Sequence, residues 1–162
     1  MRRQPRERPC LDGGPELVHG TCVALGRRAA LLRGPSGSGK SDLALRFLFL
    51  ARRGPAALEP PILVADDQVV LVRQGPGLLA RAPDTIRGKL EVRGVGIVEV
   101  KSLPEAELVL VVDLAPAAEV ERLPDAESVE LRGVALPRLR LSPWEASAPI
   151  KLAIALARAK HS

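Results

Sequence analysis

Gly34-Pro35-Ser36-Gly37-Ser38-Gly39-Lys40-Ser41 satisfies the pattern G-x-x-x-x-G-K-[ST] at every fixed position, and no other stretch narrows what this chain can fold into as much. Glycines let successive backbone N–H groups turn toward one point, where phosphate oxygens bind. At this spacing Lys40 reaches β- and γ-phosphates as a point charge, and the Ser41 hydroxyl reaches Mg²⁺. The pattern needs a strand before it and a helix after it, whose positive N-terminal end faces the phosphates. Ala29 to Arg33 is a short apolar run, and Asp42 to Arg53 has no breaker and is rich in Leu, Ala and Phe. That texture predicts a largely buried helix, stopped by Gly54-Pro55. In this setting the eight residues Gly34 to Ser41 read as a Walker A loop holding a nucleoside triphosphate, against the alternative of a chance Gly/Ser loop. The motif does not say which reaction follows.

The rest of the chain reads as one α/β domain with a mixed sheet and few helices. Residues 1–16 are rich in Arg, Pro and Gly without periodicity and are expected to be a disordered basic tail; residues 17–162 form the domain. Thr21 to Leu25 pairs as a hairpin with Ala29 to Arg33 about Gly26-Arg27-Arg28, and Val69 to Arg73 with Leu78 to Arg81 about Gln74-Gly75-Pro76-Gly77. Ile62 to Ala65 is a short buried strand, and Leu108 to Leu114 a central one. Val129 to Leu131 and Val134 to Leu141 flank Arg132-Gly133 as further strands. Ala146 to Lys160 carries Ile150, Ile154 and Leu156 at helical spacing. Ile86 to Val100 mixes apolar, charged and Gly residues without a clear period.

Composition excludes several classes. Aromatic residues make up 2% of the chain, with no Tyr, so the core is aliphatic and a nucleic-acid platform of stacked aromatics is not expected. The net charge of +5 comes from scattered arginines rather than one patch. No apolar run approaches the length of a membrane span, and no apolar segment follows the charged N-terminus as in a secretory signal. Cys10 and Cys22 have no metal-binding spacing and suit free thiols in the cytoplasm.

Two acidic strand ends compete for the metal. Ile62-Leu63-Val64-Ala65 ends in Asp66-Asp67, whose side chains point in different directions, so one can serve Mg²⁺ while the other faces an acceptor. The pair is also what a surface turn looks like. Leu108-Val109-Leu110-Val111-Val112-Asp113 is the rival, with the look of a Walker B strand ending in a metal ligand.

Read in order, His19-Gly20, the glycine-rich loop, Leu63-Val64-Ala65-Asp66-Asp67 and Leu90-Glu91-Val92-Arg93-Gly94-Val95-Gly96-Ile97 resemble the HPr kinase/phosphorylase family. The L-E-x-R-G-x-G-I segment is the specific part, and the likeness covers most of residues 17 to 123. It implies a P-loop kinase core of the HPr kinase and PEP carboxykinase-like type. It implies an ATP- and Mg²⁺-dependent enzyme that phosphorylates a serine of an HPr-like phosphocarrier protein of a phosphotransferase system. Lys40 would contact the phosphates, and Ser41 and Glu91 would ligate Mg²⁺. Asp67 would take the serine proton, Asp66 would support the metal or the base, and His19 would stand beside the base. Arg122, in Val120-Glu121-Arg122-Leu123, resembles a further active-site arginine.

Taken without the resemblance, His19 reads as a structural residue, Arg93 as an ion-pair partner, and Gly94 and Gly96 as a tight bend. The chain has no room for the family's additional N-terminal domain and is similar to short alphaproteobacterial forms. Ser142 to Pro149 holds no arginine where the family has a Pro- and Arg-rich segment tied to dephosphorylation, so the reverse, phosphorylase direction is expected to be weak or absent. The family is hexameric, which implies a homo-oligomer. A kinase for a small-molecule acceptor and a nucleotide-sensing module without turnover are the alternatives.

Overall fold

The computed structural model describes residues 13–50 and 59–159. The expectations for the tail up to residue 12, for Cys10, and for the helix stop at Gly54-Pro55 lie outside the described residues.

The chain enters through β1 (Glu16–His19), β2 (Thr21–Leu25) and β3 (Arg28–Arg33). Glu16 already belongs to β1, at the boundary expected for the tail. After β3 the glycine-rich loop leads into α1 (Lys40–Leu48), which starts two residues earlier than expected and ends at Phe49. Next come β4 (Pro61–Ala65), β5 (Gln68–Gln74) and β6 (Gly77–Arg81), with β5 and β6 forming the expected hairpin. The stretch without a clear period folds as a second hairpin, β7 (Lys89–Val92) with β8 (Gly96–Glu99), hydrogen-bonded apart from the main sheet. The central strand β9 (Ala106–Leu114), the hairpin β10 (Glu127–Leu131) with β11 (Val134–Leu141), and α2 (Ala148–Arg158) complete the described residues.

Seven strands of the main sheet run in the order β1-β5-β6-β9-β3-β2-β4. β9 pairs parallel with β3 along one side; on its other side its start meets β6 and its end meets β11. Alternate side chains of the central strands feed two apolar clusters, as the two-residue period of a strand requires. Val23, Leu25, Ala30, Leu32, Leu110 and Val112 join a cluster with Leu43, Phe47, Leu152 and Leu156 of the helices. Cys22, Ala24, Ala29, Leu31, Leu108 and Val111 join a second cluster with Leu71 and Leu78. β2 and β3 are thus buried on both faces, which is why they read as continuous apolar runs. Full burial raises the Cys22 thiol's pKa and keeps it protonated.

α2 forms where the helical spacing of Ile150, Ile154 and Leu156 predicts it. Ala148, Pro149, Leu152, Ala153 and Leu156 are buried, while Ile150 and Ile154 are exposed. The helix is apolar nearly all round, so spacing alone does not select its inner stripe. Pro149 sits in the first turn, where its missing N–H costs nothing. No helix among the described residues is long and apolar enough to cross a membrane.

The sheet curls so that β4 approaches β6 and β2 approaches β5, although neither pair is hydrogen-bonded. Two connections therefore cross from one end of the strand order to the other: β1 to β2 through Gly20, and β4 to β5 through Asp66-Asp67. They lie side by side, with the Gly20 N–H donating to the Asp67 carbonyl at 3.0 Å. This crossing brings residues 47 positions apart into one site.

Candidate active site

The loop at the end of β3 adopts the conformations its glycines were expected to supply. Gly37 and Gly39 have φ of 78° and 94°, left-handed values that side-chain-bearing residues seldom take. Residues of alternating hand turn consecutive N–H groups toward one concavity, which favours anions. Lys40 is the first residue of α1 and is 7% exposed. Its ammonium donates to the carbonyls of Gly34 and Pro35 at 2.8 and 2.9 Å. Burial lowers its pKa, and the nearby charges of Asp67 and Asp66 oppose that shift.

Asp66 is 6% exposed and lies at the base of the site. One carboxylate oxygen accepts from the Ser41 hydroxyl at 2.8 Å and the Thr21 hydroxyl at 2.9 Å; the other accepts from the Glu91 N–H at 3.2 Å. The carboxylate ties together the start of α1, β2 and the β7–β8 hairpin. The segment that follows the hairpin is held beside β4, where the Leu103 N–H donates to the Leu63 carbonyl at 2.9 Å.

Asp67 is built differently. Its φ is +66°, a left-handed conformation that Asp and Asn tolerate better than other side chains. The turn sends its carboxylate away from that of Asp66, leaving 70% of the side chain exposed, with Oδ1 3.4 Å from His19 Nδ1. Adjacent carboxylates thus face opposite surroundings, one buried and held by three hydrogen bonds, the other open beside an imidazole.

These groups surround an open cavity of about 380 Å³. His19, Ser36, Gly37, Gly39, Lys40, Ser41, Asp67 and Glu91 line it, so most of the expected residues converge. Gly34, Pro35 and Ser38 belong to the loop's scaffold rather than to the lining: a Cβ on Gly34 would stand 2.5 Å from Ser38 Oγ. Arg122 is exposed between β9 and β10 and does not line the cavity, so the structure does not bring it to the site. Sequence reasoning missed Thr21, Asp42, Leu45 and Trp144, which do line it. The signal for Trp144 was available, because it is the chain's one tryptophan. Arg93 also lines the cavity, while Gly94 sits in the tight bend between β7 and β8 and Gly96, also at positive φ, opens β8.

Asp113, the rival acidic residue, is occupied elsewhere. It stands level with Arg33 on β3 and Arg140 on β11. It accepts two hydrogen bonds from Arg33, at 2.7 and 3.0 Å, and one from Arg138 at 2.5 Å. Partial burial raises its pKa, but the two guanidiniums outweigh this and hold it below the usual carboxylate range. Asp113→Ala is expected to lower stability by about 1–3 kcal/mol, discounted because the pair is partly solvated. A depressed folded-state pKa contributes stability above the unfolded value of about 3.9, and that contribution is lost as pH falls through the folded value. The gap between wild type and variant in urea denaturation should therefore narrow below about pH 4; an unchanged gap down to pH 2 would detach the effect from this carboxylate.

The chain has relatives among known proteins. The chain is 33% identical over 135 residues to the HPr kinase/phosphorylase of Burkholderia lata, in an alignment covering 76% of this chain and 39% of that protein. The protein of the same name from Burkholderia cenocepacia aligns with the same figures. The match thus spans 39% of the length of these relatives. The fold is similar to that of the Hpr(Ser) kinase/phosphatase from Coxiella burnetii, with a TM-score of 0.71 and 20% identity over 88% of this chain and 94% of that one. The family described as the HPr Serine kinase C-terminal domain matches residues 14–142, a span that holds the loop, both aspartates, His19 and Glu91. By that match, and with a site assembled from the same segments, this chain belongs to the HPr Serine kinase C-terminal domain family.

Proposed function

We propose that this domain is a P-loop kinase core of the HPr kinase and PEP carboxykinase-like type, transferring the γ-phosphoryl group of ATP to a serine hydroxyl of an HPr-like phosphocarrier protein. The observation that carries the reading is the division of labour between Asp66 and Asp67. Asp66, held by Thr21, Ser41 and the Glu91 N–H, supports the loop. Asp67, exposed beside His19 at the rim of the same cavity, is free to meet an incoming hydroxyl. A nucleotide-binding module without turnover has no need of that second carboxylate.

In the forward direction the backbone N–H groups of the loop bind the phosphates. Lys40 exchanges its loop carbonyls for the β- and γ-phosphate oxygens. The serine oxygen of the acceptor forms its bond to phosphorus as the bond to the leaving ADP oxygen breaks, and Asp67 accepts the serine proton late in the step. Phosphoryl transfer asks the protein mainly for positioning and charge neutralisation. His19 holds the orientation of the Asp67 carboxylate. In the reverse direction an oxygen of inorganic phosphate bonds to the phosphorus of phosphoserine as the bond to the serine oxygen breaks, Asp67 gives its proton to that oxygen, and pyrophosphate leaves; the arginine-free segment Ser142 to Pro149 supports a weak reverse reaction.

The donors fit Mg²⁺. The Ser41 hydroxyl already rests on a carboxylate, and Glu91 adds a second hard oxygen at the rim. The described residues hold no group of three or more His, Cys, Asp or Glu side chains able to cage a metal by themselves. That suits an ion whose remaining ligands are phosphate oxygens and water. Ser41 and Glu91 would hold it, and when bound it neutralises phosphate charge. ATP and a carrier of this kind place the reaction in the cytoplasm.

The test is incubation of the protein with Mg²⁺, γ-labelled ATP and the HPr-like carrier of the same organism. Label on a carrier serine is the expected result. ATP binding without label would sink the carrier assignment and shift the reading to a small-molecule acceptor or a nucleotide sensor.

A further inference from the structure

Trp144 is the chain's only tryptophan, yet 66% of it is exposed, at the mouth of the cavity. It is not loosely held. The Pro143 carbonyl on one side of it accepts from Arg46 Nη2, and the Glu145 carbonyl on the other side accepts from Arg46 Nη1 at 3.3 Å. Arg46 is itself fixed to Asp42 across one turn of α1, at 2.9 Å. The segment before α2 is thereby fastened to the helix that follows the glycine-rich loop. The benzo edge of the indole rests on that loop: a Cβ on Gly39 would lie 3.1 Å from Cζ2 and Cη2 of Trp144 and 3.2 Å from Pro143 Cβ. The absent side chain at Gly39 therefore serves two ends, a left-handed turn and the approach of the ring.

A rigid, wide apolar face standing open in water beside a phosphate-binding loop lacks a partner from the protein's own core. The other two aromatic residues offer nothing similar at the site: Phe47 is buried in the core and Phe49 does not line the cavity. A nucleoside triphosphate whose phosphates lie along residues 37–41 must place its base outside the loop, and Trp144 with Leu45 supplies apolar lining on the α1 side. We propose that Trp144 is the platform on which the base of the bound nucleotide stacks, an inference that rests on the nucleotide-binding reading above. Stacking on indole tolerates any base, because every base has a π face. Affinity for the nucleotide then divides between phosphates held by the loop and a base held by one side chain, with little discrimination between ATP and GTP.

With no tyrosine in the chain, the emission at 295 nm excitation comes from Trp144 alone. MgATP and MgGTP are expected to change that emission, and magnesium tripolyphosphate to change it far less while still binding by calorimetry. Trp144→Ala should weaken MgATP binding roughly 5- to 150-fold, the range for loss of one base–aromatic stack, and leave tripolyphosphate affinity unchanged. Trp144→Phe should retain most of the ATP affinity. Equal weakening of ATP and tripolyphosphate by Trp144→Ala would make the ring a prop for the loop and overturn the proposal; unchanged ATP affinity would do the same. If the unaltered protein binds neither ligand, the nucleotide site itself fails and the platform with it. Binding of tripolyphosphate with no added affinity for ATP rejects the platform alone.

Discussion

Asp67→Asn is expected to reduce phosphate transfer to the carrier serine by roughly 10²- to 10⁴-fold, the usual contribution of a positioned general base, while MgATP affinity stays within about twofold. The change is clean for reasons visible in the backbone. Residue 67 sits at φ +66°, and Asn is among the side chains that accept that conformation most readily, so the β4–β5 connection keeps its shape. The Gly20 N–H still finds the carbonyl of residue 67, since that bond is made by the backbone. What is lost is a charge that accepts a proton, on a side chain that is largely solvated and supports no packing. Asp66→Asn is the informative contrast. That carboxylate accepts three hydrogen bonds at the base of the site, and an amide placed there turns a donor toward at least one of the groups now donating to it. Both binding and transfer should fall in that variant. Labelled-phosphate transfer and calorimetric titration with MgATP on the two variants separate the roles; equal losses of transfer and binding in Asp67→Asn would make Asp67 structural or a metal ligand.

Lys40→Ala is expected to weaken MgATP binding and transfer together, with transfer down by roughly 10²- to 10³-fold, comparable to the loss of one preorganised electrostatic contact at a reacting phosphate. The lysine's position explains why both quantities move. It is nearly buried at the first turn of α1, and its ammonium is held by two carbonyls of its own loop. Those two hydrogen bonds hold the charge at the site rather than in solvent. Lys40→Arg should not rescue the loss, because a planar guanidinium with a wider fork cannot occupy the place of a compact ammonium between the Gly34 and Pro35 carbonyls. Thermal unfolding of the variants checks that the fold is intact. An Ala variant that binds MgATP normally would remove the loop from the phosphate site.

Much of this site is legible in the chain because its decisive pieces are local. The glycine-rich loop carries its turn preferences, its lysine and its hydroxyl within eight residues, and the strand before it and helix after it follow from short-range patterning. The hairpins about Gly26-Arg27 and Gly75-Pro76 are equally local, and the structure contains both. Where short-range spacing leaves the packing open, the controlling interaction is long-range. Ile150 and Ile154 have helical spacing, but the helix is apolar on several faces, and only packing against α1 and the sheet selects Leu152 and Leu156 as its inner stripe. The stretch from Ile86 to Val100 showed no clear period because its hairpin stands off the main sheet and much of it is exposed, so no core face imposes alternation on it.

The two acidic strand ends show where local information stops. Each is an apolar strand closed by aspartate, and nothing nearby in the chain ranks Asp66 over Asp113. The choice depends on residues far away in sequence: Arg33 and Arg138, 80 and 25 positions from Asp113, neutralise it, while Thr21 and Ser41, 45 and 25 positions from Asp66, turn hydroxyls toward it. The loop, the strand before it and the helix after it can be read from the chain alone, because backbone freedom at glycine and the period of apolar residues act over a few positions. Long-range packing sets which carboxylate accepts from Ser41, that His19 meets Asp67, that Arg122 stays outside the cavity, and that Trp144 lines it. The meeting of His19, Asp66 and Asp67 depends on a curled sheet that carries two connections across its strand order, the place of Trp144 depends on the bonds from Arg46 to the carbonyls beside it, and no local spacing records either.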